Sequence, residues 1–359
     1  MAIKFLYSFI AAAVSTTAVL VNAKASAPLR FAGVNIAGFD FGCGTDGTCV
    51  ASGAVPPIHK LSGIDGLGQM QHFVKDGYNV FRLPVGWQYL TNDKMTGVLD
   101  ATQFAKYNTL VSDCLSTGAY CEIDIHNYAR YNGQIIGQGG PSNKIFAQLW
   151  SNIASHWKNE TKVIFGVMNE PHDIPNITAW AASVQSAVTA IRQAGAKTQM
   201  ILLPGTDYTS AKTFVSSGSA DALAKVKNPD GTFTNLIMDV HRYLDYDGSG
   251  TNAECVTNGI DDSWTPLATW LRAHGRKAFN TETGGGNVES CVKYVSQEIS
   301  YQASQSDVIL GYIGWAAGSF ATNYVLSQVP SYSGTGWNDT LLVSRAMSPK
   351  INKLIATVA

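Results

Sequence analysis

The stretch VIFGVMNEP, residues 163–171, is an apolar run that ends abruptly at Asn169, Glu170 and Pro171. A short apolar run rich in β-branched and aromatic residues predicts a strand buried on both faces, as in a parallel sheet. Other stretches of the chain have the same character. The eight predicted strands are Arg30–Ala37, Asn79–Val85, Tyr120–Asn127, Val163–Glu170, Met200–Gly205, Leu236–Tyr243, Lys277–Thr283 and Val308–Trp315.

Longer amphipathic stretches separate these strands, and two of them show a clear helical period. Their apolar faces carry Phe146, Leu149, Trp150, Ile153 and Trp157 in one and Trp180, Val184, Val188 and Ile191 in the other. Eight βα units predict a single-domain (β/α)8 TIM barrel over residues 24–359, without a carbohydrate-binding module. A doubly wound open sheet is the alternative; the strand count and the lack of a Gly-rich phosphate loop after the first strand oppose it.

The N-terminus has the pattern of a secretory signal peptide, expected over residues 1–23. Lys4 precedes an apolar stretch from Phe5 to Val21, and small residues near Ala23 or Ala25 suit cleavage. A transmembrane helix is the alternative, but the stretch is shorter than the usual span of about 20 residues and no basic cluster follows it. We therefore expect a secreted, extracellular protein that does not associate with membranes.

Charge and composition favour an uncharged partner. The 25 Lys and Arg residues nearly balance 26 Asp and Glu residues without long runs of either sign, so nucleic acid is an unsuitable partner. Charged residues make up only 14% of the chain, while aromatic residues reach 10%. This composition is typical of a large core and of a groove that binds sugars.

Six cysteines in an exported chain predict three disulfides. Short spacing favours Cys43 with Cys49 and Cys114 with Cys121, which leaves Cys255 for Cys291. A zinc site is the alternative, but these spacings contain no C-x-x-C. Three N-x-S/T sequons mark candidate glycosylation sites, at Asn159, Asn176 and Asn338.

Polar side chains gather at the predicted strand ends. In a parallel barrel the carboxyl ends of all strands meet at one mouth, where catalytic groups lie. The candidates are Arg82, Asp124, His126, Asn127, Asn169, Glu170, His241, Tyr243, Glu282 and Trp315. Two carboxylates beside aromatic residues are what hydrolysis of a glycosidic bond needs; a separation of about 5–5.5 Å gives retention and a wider one gives inversion.

The motifs NEP at 169–171 and TETG at 281–284 resemble glycoside hydrolase family 5. The resemblance covers nearly the whole mature chain. Its characteristic positions match, in order, Arg82, His126, Asn169, Glu170, His241, Tyr243, Glu282 and Trp315. FAGVNIAG from Phe31 and IIGQGG from Ile135 are similar to the fungal endoglucanase branch, although a linker, a cellulose-binding module and a fourth disulfide of some relatives are missing.

The resemblance implies a secreted, retaining endo-β-1,4-glucanase that acts as a monomer on a β-1,4-glucan without metal or other cofactor. Glu282 is then the nucleophile, kept ionised by Arg82 and Tyr243, and Glu170 is the acid/base. His241 tunes the proton of Glu170.

Further roles follow for the neighbouring residues. Asn169 is expected to bond the sugar 2-hydroxyl and Trp315 to offer a flat face to the sugar. Trp87, Tyr128 and Tyr131 are candidates for neighbouring subsites, with packing an equal alternative for each, and Asp124 is assigned a structural role.

Other functions remain open at this stage. A mannanase or a xyloglucanase of the same family would use the same catalytic step. A metal-dependent hydrolase could use Asp124, His126, Glu170 and His241, but H-x-H and H-E-x-x-H motifs are missing. A catalytically inert sugar-binding barrel would not require both glutamates.

Overall fold

The computed structural model describes residues 28–58, 65–334 and 336–352. The expected signal peptide, residues 1–23, lies outside this part of the chain. The barrel strands, here β1 to β8, are Phe31–Ala37, Val80–Val85, Tyr120–Ile125, Val163–Gly166, Met200–Pro204, Leu236–Tyr243, Ala278–Gly284 and Ile309–Gly318. Two short antiparallel hairpins lie outside the barrel, Arg130–Tyr131 with Gln134–Ile135 and Ser331–Ser333 with Gly336–Asn338.

All eight strands pair in parallel, and β1 pairs with both β2 and β8, which closes the barrel. The predicted TIM barrel is thus confirmed, and the open-sheet alternative is wrong because a doubly wound sheet has two free edges. The predicted end of β4 is displaced: the strand stops at Gly166, before Glu170. The chain turns there, with the Asn169 N–H donating to the Ile125 carbonyl at 2.8 Å and Glu170 at a φ of 37°.

Helices cover the outside of the barrel. The α-helices, α1 to α9, are Gly66–Lys75, Trp87–Thr91, Ala101–Ser116, Asn143–Trp157, Ile177–Gln193, Ser219–Leu223, Thr265–Ala273, Glu289–Ser304 and Pro349–Asn352. The two predicted helical faces are confirmed, since every one of their apolar residues is buried. Side chains cap both helices, Ser142 at α4 and Asn176 at α5, as expected for residues that accept from free N–H groups.

The barrel interior changes character along its axis. Its lower layer is apolar and contains Phe31 stacked on Phe279 with ring centroids 5.2 Å apart. Nearer the carboxyl ends of the strands, the buried interior residues are ionisable, among them Arg82, Glu122 and Asp239. Because buried charges need partners, the ionisable side chains of this upper layer must form hydrogen bonds and ion pairs. The candidate site lies in this layer.

The three predicted disulfides are confirmed: Cys43–Cys49, Cys114–Cys121 and Cys255–Cys291. The sequon asparagines Asn159, Asn176 and Asn338 are all exposed, which is compatible with glycosylation; that modification stays a prediction. In the parts of the chain that the structure covers, no helix has the length and apolar character needed to cross a membrane.

Loop length predicts different contributions of the disulfides to stability. Replacing Cys255 and Cys291 together by serine should cost about 4 kcal/mol, because this bridge closes the longest loop, with 36 residues of sequence separation. The Cys43→Ser/Cys49→Ser variant is the matched control, with a separation of 6 and an expected cost of about 2 kcal/mol. Equilibrium urea unfolding measures both, and equal losses would contradict the loop-length argument.

Candidate active site

Most of the predicted strand-end residues meet at one mouth of the barrel, whereas the Asn127 side chain bonds to Trp87 and Gln88 of α2. A cleft of about 880 Å³ opens there, and its walls include Glu170, Glu282, His126, Tyr128 and Trp315. The walls come from loops that follow most of the strands. The cleft has the concave shape, with apolar rings and a few polar groups, that is typical of a sugar-binding site.

Glu170 and Glu282 face each other across His241. The imidazole Nδ1 lies 2.7 Å from Glu170 Oε1 and 3.6 Å from Glu282 Oε2. One carboxylate oxygen from each glutamate and a ring nitrogen of His241 all lie within 4.8 Å of one another. Glu170 is partly accessible from the cleft, whereas Glu282 is buried. The two carboxyl groups are therefore close together but in different environments.

Glu282 is surrounded by donors. Arg82 Nη1 donates to its Oε1 at 2.5 Å, and the Tyr243 hydroxyl donates to its Oε2 at 2.7 Å. Burial acts to raise the pKa of this carboxyl, but the positive charges of His241 and Arg82 outweigh burial and lower it. Glu282 is thus held as a carboxylate with both oxygens directed by donors, as a nucleophile requires.

Arg82 is fully buried and holds several groups at once. Its guanidinium donates to Asn169 Oδ1 at 2.7 Å and Asn35 Oδ1 at 2.9 Å, and it contacts Glu122 at 3.2 Å and Asp124 at 3.1 Å. Burial opposes the charge, yet the surrounding carboxylates raise the guanidinium pKa above its usual value. Asp124, assigned a structural role from the sequence, lies in this network between Arg82 and His126.

Trp315 and His126 form one wall of the cleft. Their rings stack with centroids 5.3 Å apart, and Trp315 Nε1 donates to the Tyr324 hydroxyl at 3.1 Å. Asp124 Oδ2 lies 2.8 Å from His126 Nδ1. Burial lowers the pKa of His126, but the hydrogen bond to Asp124 and its charge outweigh burial and raise it. The indole is therefore fixed in orientation at the edge of the cleft.

For the subsite candidates Trp87, Tyr128 and Tyr131, the sequence left packing in the core as an equal alternative. Two of the three are core residues. Trp87 and Tyr131 are buried and meet edge to face at 5.4 Å, because Trp87 starts α2 and turns inward against α4. Tyr128 does line the cleft.

Sequence reasoning missed other cleft-lining aromatic residues. These are Tyr208, Tyr246, Phe320 and Tyr324. Tyr208, for example, stacks on His172 with centroids 4.5 Å apart. All four lie in loops after the fifth, sixth and eighth strands, and an aromatic residue in a loop at the mouth is the signal that could have found them.

Buried polar residues inside the strands were also missed. All three of Glu122, Asp239 and Thr281 are buried. Glu122 accepts from Arg82, Thr281 contacts His241, and Asp239 accepts from Thr281. An ionisable residue within an otherwise apolar strand is a usable signal, because its burial requires a partner.

Among the described residues, two groups of His, Asp and Glu could geometrically surround a cation. One consists of His72 in α1, Asp76 at the end of that helix and Asp339, and none of the three lines the cleft. The other is Glu170, His241 and Glu282, where the Arg82 guanidinium and Tyr243 hydroxyl already occupy both Glu282 oxygens. Asp124 and His126 belong to neither group, so the four-ligand site considered from the sequence does not assemble.

The Cellulase (glycosyl hydrolase family 5) model matches residues 54–320. This chain belongs to glycosyl hydrolase family 5. Endoglucanase EG-II of Hypocrea jecorina is 60% identical over 330 residues, which cover 90% of this chain and 79% of that protein. Manganese dependent endoglucanase Eg5A of Phanerodontia chrysosporium is 42% identical over 309 residues, which cover 85% of this chain and 77% of that protein.

Solved structures give the same family. The crystal structure of Cel5A (EG2) from Hypocrea jecorina superimposes with a TM-score of 0.88 at 59% identity, covering 90% of this chain and 99% of that chain. The family 5 resemblance found in the motifs is confirmed, and the protein is a glycoside hydrolase.

The hydrogen bond from Tyr243 predicts a pH effect in this family 5 enzyme. Tyr243→Phe removes a donor to the ionised form of Glu282, so the carboxyl pKa should rise and the acidic limb of kcat/KM should move upward by about one pH unit. Tyr208→Phe, a change in the same cleft that leaves the Glu282 donors intact, is the control. The measurement is kcat/KM against pH; an acidic limb that stays in place would contradict the argument.

Proposed function

We propose that this family 5 protein is a retaining endo-β-1,4-glucanase that hydrolyses internal bonds of cellulose and related β-glucans. The observation that carries the mechanism is the spacing of Glu170 and Glu282, with carboxylate oxygens within 4.8 Å of each other. This spacing is below the separation of about 6.5–9.5 Å typical of inverting enzymes and agrees with the separation of about 5–5.5 Å typical of retaining enzymes. The endoglucanase names of the relatives support the substrate class.

The first step of the proposed mechanism is attack by Glu282 on the anomeric carbon. The carboxylate is kept ionised and is directed by Arg82 and Tyr243, and Glu170 gives its proton to the departing glycosidic oxygen. Glu170 suits this role since it is the more accessible glutamate and bonds to His241. The products of this step are a glycosyl-enzyme and a shortened chain.

In the second step Glu170, now a carboxylate, takes a proton from water, which attacks the same anomeric carbon and releases Glu282. Two inversions give a product of β configuration. Both steps need Glu170 at the same position, and its hydrogen bond to His241 holds the carboxyl there.

Asn169 has a free donor for the substrate. Its Oδ1 accepts from Arg82, while its buried Nδ2 has no partner among the described residues. A buried donor without a partner costs free energy that a bound hydroxyl would recover. We assign this donor to the sugar 2-hydroxyl, where a bond strengthens in the transition state.

The same proposal includes secretion to the extracellular space after removal of residues 1–23, and action as a monomer. Three disulfides support an oxidising destination, since such bonds persist mainly in exported proteins. Exposed sequon asparagines at positions 159, 176 and 338 are compatible with the same route.

Variants of the two glutamates test the mechanism. Glu282→Ala should abolish cleavage of cellulose and of activated aryl cellobiosides alike, and azide should restore turnover with a product of α configuration. Glu170→Ala should lose roughly 10²- to 10⁴-fold on polysaccharide yet still form the glycosyl-enzyme from activated substrates, and azide should then give the β product. Proton NMR of wild-type digests should show β-configured sugar first. An α-configured first product would overturn the assignment of Glu282.

Chelation tests the absence of a metal requirement. Dialysis against EDTA should leave the rate on a soluble glucan unchanged, because the two carboxylates and their donors complete the proposed mechanism. If EDTA lowers the rate and added manganese restores it, this chain shares the manganese dependence stated in the name of the Phanerodontia relative.

A further inference from the structure

A chain of hydrogen bonds continues from Glu170 into the barrel wall. His241 Nδ1 contacts Glu170, and the opposite ring nitrogen, Nε2, lies 3.0 Å from Thr281 Oγ1. The Thr281 hydroxyl in turn donates to Asp239 Oδ1. His241, Thr281 and Asp239 are each buried, so bulk water does not compete for these bonds.

The direction of each bond follows from the number of hydrogens available. A hydroxyl has a single hydrogen, and the Thr281 hydroxyl donates it to Asp239 Oδ1. Thr281 Oγ1 can therefore only accept from the imidazole, so Nε2 must carry a hydrogen. This leaves Nδ1 for the proton that lies between His241 and Glu170.

We propose that Thr281 and Asp239 are positioning residues that fix His241 with its Nε2 protonated and thereby control the proton that Glu170 donates. The proposal rests on the proposed function, in which Glu170 is the acid/base. In the proposed mechanism neither residue touches the sugar. They act through His241: Thr281 fixes the orientation and tautomer of the ring, and the Asp239 charge stabilises the imidazolium form.

The sign of the pH effect follows from the charges around His241. Burial lowers the pKa of the imidazole, but the carboxylates that face it outweigh burial, so the net shift is upward. The Asp239 charge supplies part of this upward shift, and removing that charge should therefore lower the pKa of the His241 imidazole. The ionisable groups that face His241 or Asp239 are Glu170, Glu282, Arg82, Glu122 and Asp124.

The test compares Thr281→Val, Thr281→Ser and Asp239→Asn by kcat/KM against pH. Thr281→Val and Asp239→Asn should move the basic limb to lower pH. They should also lower kcat/KM on polysaccharide by roughly tenfold to a hundredfold, a part of the 10²–10⁴ that general acid catalysis supplies. On 2,4-dinitrophenyl cellobioside, whose leaving group needs little protonation, kcat/KM should change less than about threefold. Thr281→Ser keeps the hydroxyl and should restore the wild-type limb.

Thr283→Val is the matched control. Thr283 is a buried threonine on the same strand, and its hydroxyl donates to the buried Glu298 at 2.8 Å instead of contacting His241. Its loss should lower stability in thermal unfolding as Thr281→Val does, but the basic limb should stay in place. A basic limb that shifts equally in Thr283→Val would show a general structural effect and overturn the proposal.

Two further outcomes separate the proposal from the function on which it rests. If Glu170→Ala loses activity equally on polysaccharide and on the activated cellobioside, Glu170 is not the acid and the proposed function fails. If Glu170→Ala shows the expected leaving-group dependence but Thr281→Val and Asp239→Asn keep the wild-type basic limb, only the positioning role is wrong. Asp239→Asn is a near-isosteric change, so it keeps the test available even if Thr281→Val does not fold.

Discussion

The buried guanidinium of Arg82 is the interaction on which the rest of the site depends. A charge without solvent must be paired, and this one has partners on several different strands. They are Asn35 on β1, Glu122 and Asp124 on β3, Asn169 after β4 and Glu282 on β7. Because one rigid group joins these strands, the barrel cannot change its register locally without breaking bonds to a buried charge. Glu282 is therefore positioned by the same interaction that completes the interior of the fold.

Buried carboxyl groups around Arg82 are not equivalent. Burial raises the pKa of Glu122 well above its ordinary value, and one of its oxygens has no partner among the described residues. Glu282 is as deeply placed, but it receives donors on both oxygens, and its pKa is lowered. The balance of neighbouring charges, rather than the amount of burial, accounts for the opposite pKa shifts of these two carboxyls. That difference allows one cation to lower the pKa of Glu282 among several acidic neighbours.

Stability and chemistry occupy different layers of the molecule. The apolar layer around Phe31 and Phe279 fills the lower part of the barrel, and the outer core lies between the strands and helices such as α4 and α5. The polar layer near the strand ends adds bonded charges whose net contribution to stability is small or unfavourable. The disulfides join loops and helix ends and, at Cys121, a barrel strand. The apolar layers thus allow the fold to tolerate buried charges at the carboxyl ends of the strands, where these charges support the site.

The sequence by itself determined the eight strands, the two clear helical faces, the pairing of the cysteines and the placement of Glu170 and Glu282 at the mouth of the barrel. These features depend on local periodicity, on spacing and on motifs, all of which are visible in one dimension. Only the tertiary structure decided that Trp87 and Tyr131 are core residues, that loop aromatics such as Tyr208 line the cleft, and that Asp239 reaches His241 through Thr281. The reason is that side-chain direction and strand register depend on barrel closure, which brings together residues as distant as Arg82 and Glu282, 200 positions apart in the chain.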